Sequence, residues 1–250
     1  MLKEERYDKI LDILEKERYV SASKLSKMLY VSMPTIRRDL AELVRRHQIV
    51  RSHGGAKIIQ AEHIVAPLDF RKTVNAAEKR ALCRSAAKLV QDNDIIFIDA
   101  STTTLQMADF LNNKKGITVI TNGIPLATML IQKGIKTYCT GGEIFENSLA
   151  HFGSFAEEFI QRFNIDVLFF SCHGVNEKGM LTDPSLPETQ IRKVAINQSK
   201  KTVFLCDETK FSLSTPYNLV SIQTPDYVIT NSTTVYKYFN SEDSNKIVIV

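Results

Sequence analysis

Two groups of residues in this 250-residue chain have the types and spacing to do chemistry. The first lies between positions 32 and 57. Ser32, Thr35, Arg37 and Arg38 fall within seven residues, Arg45 follows two turns later, and Arg51, His53 and Lys57 surround Gly54-Gly55. Arginine suits polyanion recognition because its planar fork can pair with guanine O6 and N7 or clamp a phosphate. The second group is spread over five short stretches: Asp99 with Ser101, Thr102 and Thr103; Thr121-Asn122; Gly141-Gly142; His173-Gly174 in the run 171–174; and Asp207 with Lys210. A lysine among hydroxyls and glycines suits a phosphate, whereas Asp and Asn suit sugar hydroxyls. Each group has a plainer reading. The arginines could solvate the surface of a small helical bundle, and the Ser/Thr cluster could simply cap a helix. Asp99 has the same two readings, His173 could be a ligand contact or a satisfied imidazole, and Asp39 suits bracing an arginine better than reading a base.

The elements that must position the first group are three helices and a hairpin. Ile10 and Leu14 place an apolar stripe on a helix over 2–17, and Ser21 or Ser23 caps a second helix that turns Leu25, Met28 and Leu29 inward. Ser32 caps a third, with Pro34 in its first turn and Ile36, Leu40, Leu43 and Val44 on one buried face. The opposite face then carries Pro34, Arg38, Ala41 and Arg45, flanked by Thr35 and Arg37. β-Rich runs on either side of Gly54-Gly55 predict a hairpin over 49–59, a wing with Arg51, His53 and Lys57 near its tip. Residues 60–75 lack periodicity and are expected to be a linker.

Beyond the linker, short apolar strands alternate with helices: strands at 95–98, 117–121, 136–140, 167–170, 202–205 and 227–229, with helices over 76–89, from 105, 126–131, 155–163, 188–198 and 235–239, and 247–250 completing the sheet or its edge. This alternation predicts a mostly parallel sheet covered on both faces. All five polar stretches of the second group then fall just beyond strand ends, where loops and helix N-termini converge on ligands.

Charge is distributed unevenly. Residues 1–60 contain 13 Lys or Arg against 8 Asp or Glu, while the other 190 contain 19 against 20. The surplus, and with it a polyanion partner, is therefore confined to the N-terminal part. No apolar run is long enough to span a membrane and the charged start does not resemble a secretory signal, so the expected location is the cytoplasm. The cysteines, Cys83, Cys139, Cys172 and Cys206, are far apart, which fits reduced thiols better than disulfides or a zinc site. No metal, cofactor or catalytic constellation is expected.

Arg6, Ile10, Leu14, Ser32, Thr35, Ile36, Arg37, Arg38, Asp39 and Leu40 at these separations resemble the signature of the DeoR family of bacterial transcriptional regulators. VSMPTIRRDL resembles the family's recognition helix and RSHGGA its wing. Asp99, Thr102, Thr103, Thr121, Asn122, Gly141, Gly142, Gly174, Asp207, Lys210 and Phe211 fall on matching positions of its sensor domain, and Phe70-Arg71 and Lys79 match the region leading in. Departures are His47 and Ser101 where glycine is usual, Phe145 where an arginine often follows the double glycine, and Ser171-Cys172-His173 in place of a smaller run. The resemblance implies an N-terminal winged helix-turn-helix (1–59) joined through 60–75 to an α/β sensor and oligomerisation domain (76–250) similar to the ribose-5-phosphate isomerase fold group. It implies a homo-oligomer, dimeric or higher, that represses a carbohydrate-metabolism operon on double-stranded operator DNA and is released by a phosphorylated sugar. An activator of the same family and an isomerase-like enzyme with Asp99 or Asp207 as base are the alternatives.

Overall fold

The computed structural model describes residues 3–17, 19–45, 49–52, 54–58 and 68–250, in two compact units divided between Ala66 and Pro67. In the first, α1 (Lys3–Glu17), β1 (Tyr19–Ser21), α2 (Ala22–Leu29) and α3 (Met33–Arg45) precede the wing strands β2 (Ile49–Ser52) and β3 (Gly55–Ile58). Tyr7, Ile10 and Leu14 of α1 meet Leu25 of α2 and Ile36, Leu40 and Leu43 of α3 in one core. That core follows from the helical spacing of these residues. Ser21 caps α2 by accepting the Lys24 N–H, and Tyr30 ends the helix in a left-handed conformation at φ 54°. Strand β1 was not anticipated. It pairs with β3, so the expected hairpin becomes a three-stranded antiparallel sheet with β3 in the middle. A three-residue strand with one buried side chain is too short to show an alternation in sequence.

The second unit opens with α4 (Leu68–Thr73), inside the stretch expected to be linker. Six residues are too few to display helical periodicity, and burial of Leu68 against the sensor supplies what the local sequence does not. Then follow α5 (Ala76–Ala86), β4 (Ile95–Ile98), β5 (Thr118–Thr121), α6 (Ile124–Gln132), β6 (Lys136–Cys139), the hairpin β7 (Glu143–Phe145) and β8 (Ala150–Phe152), and α7 (Ser154–Ile160). The rest comprises β9 (Ile165–Phe170), β10 (Gly174–Val175), β11 (Met180–Asp183), α8 (Leu186–Gln198), β12 (Ser199–Cys206), β13 (Tyr217–Ser221), β14 (Tyr227–Thr230) and β15 (Ile247–Ile249).

Seven strands form one sheet in the order β15-β14-β12-β9-β4-β5-β6, with every neighbouring pair parallel. Alternate residues of the strands enter two cores. Phe97, Leu168, Phe170 and Phe204 pack with Ile160, Ile191 and Ala195 on one face. Ile96, Ile98, Val119, Phe169 and Leu205 pack with Leu82, Cys83, Leu126 and Leu130 on the other. Burial on both faces accounts for the nearly continuous apolar runs. The small antiparallel sheet β10-β11-β13 and the β7-β8 hairpin were not anticipated. The segments expected as helices from 105 and over 235–239 are 3-10 turns, Thr104–Phe110 and Thr233–Tyr238. Each begins with β-branched threonines, and the Thr104 hydroxyl bonds back to the Asp99 carbonyl (2.8 Å), which competes with regular α-helical pairing.

Gly55 marks the tightest point of the wing. A Cβ there would lie 2.3 Å from the Val20 carbonyl oxygen and 2.8 Å from the Ser21 Cα. Backbone cannot move aside as a flexible side chain can, so Gly55→Ala is expected to destabilise the N-terminal unit by about 1–3 kcal/mol. Urea unfolding of the variant, with amide exchange at Val20 and Ala56, checks this. Unchanged exchange at both amides would show that β1 does not depend on the close approach.

Candidate functional site

In the N-terminal unit the Ser32 hydroxyl accepts from the Thr35 N–H (3.4 Å) and lies 2.9 Å from the Thr35 hydroxyl, so the capping serine also fixes the first outward threonine. Arg37 and Arg38 project into solvent beside exposed Pro34 and Ala41. The Arg51 guanidinium donates to the Arg37 carbonyl (2.6 Å) and ties β2 to α3. Asp39 faces inward, buried, and accepts from Arg6 Nε (2.5 Å) and Nη2 (2.9 Å). The hydrogen bond to Asp39 raises the Arg6 pKa further above its ordinary value. Asp39 thus braces α3 against α1. His53 lies outside the described residues, as do the side chains of Arg45 and Lys57.

In the second unit the strand order reverses between β4 and β9. From β4 the chain builds outward through β5 and β6, then returns to β4's other side with β9 and continues to β12, β14 and β15. The carboxyl end of such a reversal leaves a crevice between diverging loops. Asp99 follows β4 and Ser171 follows β9. Asp99 Oδ1 accepts from the Ser101 N–H (3.2 Å) and the Thr104 hydroxyl (2.7 Å). Its Oδ2 accepts from the Ser171 N–H (3.2 Å) and Arg192 Nε (3.1 Å). The Arg192 guanidinium also reaches Asp183 (2.7 Å) and Glu188 (3.4 Å). Burial alone would lower the Arg192 pKa, but Asp183, Asp99 and Glu188 together hold it well above the ordinary arginine value. Burial pushes the Asp183 carboxyl up while Arg192 pulls it back.

A cleft with about 350 Å3 of empty space, part of it open to solvent, lies at this point. Asp99, Ser101 and Asn122 line it as the strand-end reading expected, together with Arg71, Ser148, Glu188 and Arg192. Phe97, Phe152 and Ile191 form the apolar part of its wall. Asn122 is held by the Ala100 N–H on its oxygen (3.1 Å) and by its own donation to the His151 carbonyl (3.2 Å).

The remaining expected residues are near the same sheet edge but not in the cleft wall. Thr102 contacts Lys79, the Thr103 carbonyl accepts from the Cys83 thiol, and the Thr121 hydroxyl accepts from the Gly123 N–H. Gly142 is required by packing, since a Cβ would lie 2.5 Å from the Phe152 carbonyl oxygen, and Gly174 by the approach of Leu213. Gly141 has a positive φ (71°) and open space beside it. His173 is anchored through its backbone N–H, which donates to Asp183 Oδ1 (3.0 Å) and to the Thr182 carbonyl (3.1 Å). Asp207 accepts from Asn75 (3.2 Å) and Thr209. Burial would raise its pKa, but Lys210 and Thr209 bring the balance below the usual value.

Arg192, Glu188 and Ser148 were missed. The available signal was the Glu188–Arg192 spacing, which puts both on one face of α8. Burial raises the pKa of Cys83, Cys172 and Cys206, keeping them as thiols, and all four cysteines are free. Among the described residues no cluster of three or more metal-binding side chains occurs. No helix among them is long and apolar enough to cross a membrane.

A helix-turn-helix with an added wing, followed by a parallel-sheet unit with a cleft at its reversal point, defines a DNA-binding regulator with a sensor domain. Residues 6–62 match the DeoR-like helix-turn-helix domain and residues 74–232 the DeoR C-terminal sensor domain. The chain belongs to the DeoR family of transcriptional regulators. It is 34% identical to the uncharacterised regulator YulB of Bacillus subtilis, over 93% of this chain and 90% of that protein. It is 31% identical to the repressor GlcR of the same organism, over 92% and 89%. Identity to the glycerol-3-phosphate regulon repressor of Escherichia coli is 28%, over 93% and 92%. Ribose 5-phosphate isomerase A of Methanocaldococcus jannaschii aligns over 55% of each chain with a TM-score of 0.42 and 17% identity.

Lys79, buried, donates to the Arg71 carbonyl (2.6 Å) and the Thr102 hydroxyl (3.3 Å). Burial, followed by the charge of Lys210, lowers its pKa from 10.5 to about 8. Between those two values the unfolded chain binds more protons than the folded one, so this group's contribution makes stability rise with pH across that window. Thermal unfolding at pH values from 8 to 10.5 is expected to show a component of rising stability that Lys79→Met lacks. Parallel profiles for the two proteins would refute the lowered value.

Proposed function

We propose that this regulator represses a carbohydrate-metabolism operon by gripping operator DNA through α3 and the wing, and that a phosphorylated sugar bound at the sheet edge releases it. The observation that carries the DNA half is the outward face of α3, where Thr35, Arg37 and Arg38 stand together with the wing arginine Arg51 beside them. Ser32, Arg45, His53 and Lys57 complete the proposed contact set. One such domain covers a single half-site, so a dimer or larger homo-oligomer is proposed, with half-sites about one helical turn or a multiple of it apart. Affinity would come from phosphate contacts plus a few base contacts and fall steeply with salt.

The sensor half rests on the cleft at the strand-order reversal and on the charges around it. Arg71, Lys79, Arg192 and Lys210 are interspersed with Asp99, Asp183, Glu188 and Asp207. These charges balance, so a phosphate would be held by particular donors rather than by a general positive field. The 101–103 loop, Lys79 and Lys210 suit the phosphate, while Asn122, Ser148 and Glu188 suit hydroxyls. Thr121, Gly141, Gly142, His173, Gly174 and Asp207 shape the edge around them. An isomerase reading is disfavoured because Asp99, one of its two expected bases, has both oxygens engaged by four protein donors. Turnover of a sugar phosphate by the purified protein would reinstate that reading. The relatives' names support repression, GlcR being a repressor and the Escherichia coli protein a glycerol-3-phosphate regulon repressor.

Fluorescence anisotropy on a labelled fragment from upstream of the protein's own gene, titrated with sugar phosphates and the matching free sugars, tests both halves. Tight, salt-sensitive binding reversed by one phosphorylated sugar is expected, and binding that no compound reverses would overturn the effector assignment. Arg38→Ala should weaken specific binding by about 1–3 kcal/mol if Arg38 pairs with a base edge. An equal loss on non-specific DNA would make it a phosphate contact instead. Lys210→Ala should raise the effector concentration for release at least about tenfold with DNA affinity intact. Loss of DNA binding in that variant would make Lys210 structural.

A further inference from the structure

The run SFAEEFIQRF, which begins at Ser154, places a phenylalanine at every fourth position, 155, 159 and 163. In a helix that spacing sets all three on one side. Helix α7 covers Ser154–Ile160, and the winding goes on to Phe163. There the Arg162 N–H donates to the Phe159 carbonyl (3.2 Å) and the Phe163 N–H to the Ile160 carbonyl (3.1 Å). Ala156 and Ile160 are fully buried and anchor the inner side of the helix in the core that Phe152 and Ile191 of the cleft wall also enter. Phe159 and Phe163 lean partly onto that core, with their rings 5.2 Å apart, and Tyr138 of β6 lies 5.4 Å from Phe163 and 6.4 Å from Phe159. Phe155 has no ring partner among the described residues. It is 77% exposed, more than any other large apolar side chain described in the sensor unit. That leaves about 150 Å2 of its surface in water, at a residue type that usually dominates cores and interfaces.

The charges beside it have a matching pattern. Glu158 and Arg162 stand three and seven positions after Phe155, on the same side of the winding, and both are exposed. Neither makes an ion pair among the described residues. One acid and one base give the patch no net charge, so it does not suit a polyanion. It suits its own copy. A contact about a two-fold axis presents the same surface twice, so that surface must be its own complement. With two such helices antiparallel and the axis midway between positions 158 and 162, Glu158 faces the partner's Arg162, and Arg162 the partner's Glu158. Phe155 then runs out along the partner helix toward the Phe163–Tyr138 pair, where an aromatic contact awaits it. Strand β6 is the outermost strand on this side of the sheet, and Lys136 at its start lies over the Tyr138 ring (5.6 Å). A lysine on an edge strand opposes the addition of another strand. Contact on this side therefore runs through side chains and not through extension of the sheet.

We propose that the outer side of α7, with Tyr138 beside it, is a face through which two copies of this chain pair about a two-fold axis, Phe155 being its apolar anchor and Glu158 with Arg162 its reciprocal charges. This rests on the homo-oligomer proposed above and names the surface that makes it. An exposed aromatic anchor ringed by polar groups is the usual composition of such a contact. The two charge pairs set its register, because a parallel arrangement would bring Glu158 against Glu158 and Arg162 against Arg162.

Sedimentation of the full-length protein over a dilution series tests this. The wild type is expected to assemble into at least two chains at micromolar concentration. Glu158→Arg and Arg162→Glu should each weaken association at least about tenfold, since each puts like charges opposite one another at both pairs. An equimolar mixture of the two variants should associate again, because every arginine then faces a glutamate of the other chain. An ion pair within one helix cannot produce that rescue. Phe155→Ser, at an exposed position, should also weaken association at least about tenfold and decides the matter if either charge variant fails to fold. A monomeric wild type overturns the oligomer reading and this surface with it. An assembled wild type whose association the variants leave unchanged overturns this surface alone and leaves the oligomer standing, and so does a mixture that stays dissociated.

Discussion

Both oxygens of Asp99 are occupied from four directions, by the loop that follows β4, by the first residue after β9 and by Arg192 of α8. The reversal of strand order sets β4 and β9 side by side, paired up to the Asp99 N–H, which donates to the Phe169 carbonyl (3.0 Å). The Asp99 carboxylate extends that pairing by accepting from the Ser171 N–H. A carboxylate buried to 3% exposure is costly unless every lone pair is used and an opposite charge is near. Arg192 supplies the charge, but it is itself buried and needs more than one partner, which brings in Asp183 from β11 and Glu188 from its own helix. Once the parallel sheet is laid down with a polar residue at its switch point, the small antiparallel sheet and α8 are drawn into the same network.

The N-terminal unit solves a similar problem on a smaller scale. Asp39 is the charged residue on the inner side of an otherwise apolar helix face, and Arg6 meets it with two hydrogen bonds across from α1. That pairing frees the neighbouring Arg37 and Arg38 to point outward, because the acid that adjoins them in sequence is already taken. A buried ion pair adds little net stability compared with an apolar pair of the same size. Its value here is orientational, since it fixes the rotation of α3 about its own axis and therefore which side chains face out.

What was legible in the sequence follows from these same forces. The helical spacing of Ile36, Leu40 and Leu43 and the doubly buried apolar strands were readable because hydrophobic burial leaves a periodic record. Strand β1, helix α4 and the β7-β8 hairpin were not, each being short and held by tertiary contacts. The strand-end rule found Asp99, Ser101 and Asn122 in the cleft wall. It did not find Arg192, Glu188 or Ser148, which reach the same place from the middle and first turn of a helix and from the tip of a hairpin. Gly142 and Gly174 read as ligand approaches, yet neighbouring backbone atoms explain them. Sequence can show that a glycine is needed but not whether a ligand or the protein itself comes close.

The sheet edge is unusual in how completely its polar groups are paired with one another. Asn122 holds both its neighbours, Thr121 and Thr104 are bonded to nearby backbone, and Arg192 is saturated by carboxylates. The buried Ser171 hydroxyl, in contrast, has no partner among the described residues. A ligand entering such a site gains little from groups that would have to break good bonds to reach it. Its favourable contacts come from donors whose present partners are weaker than a phosphate or sugar oxygen would be.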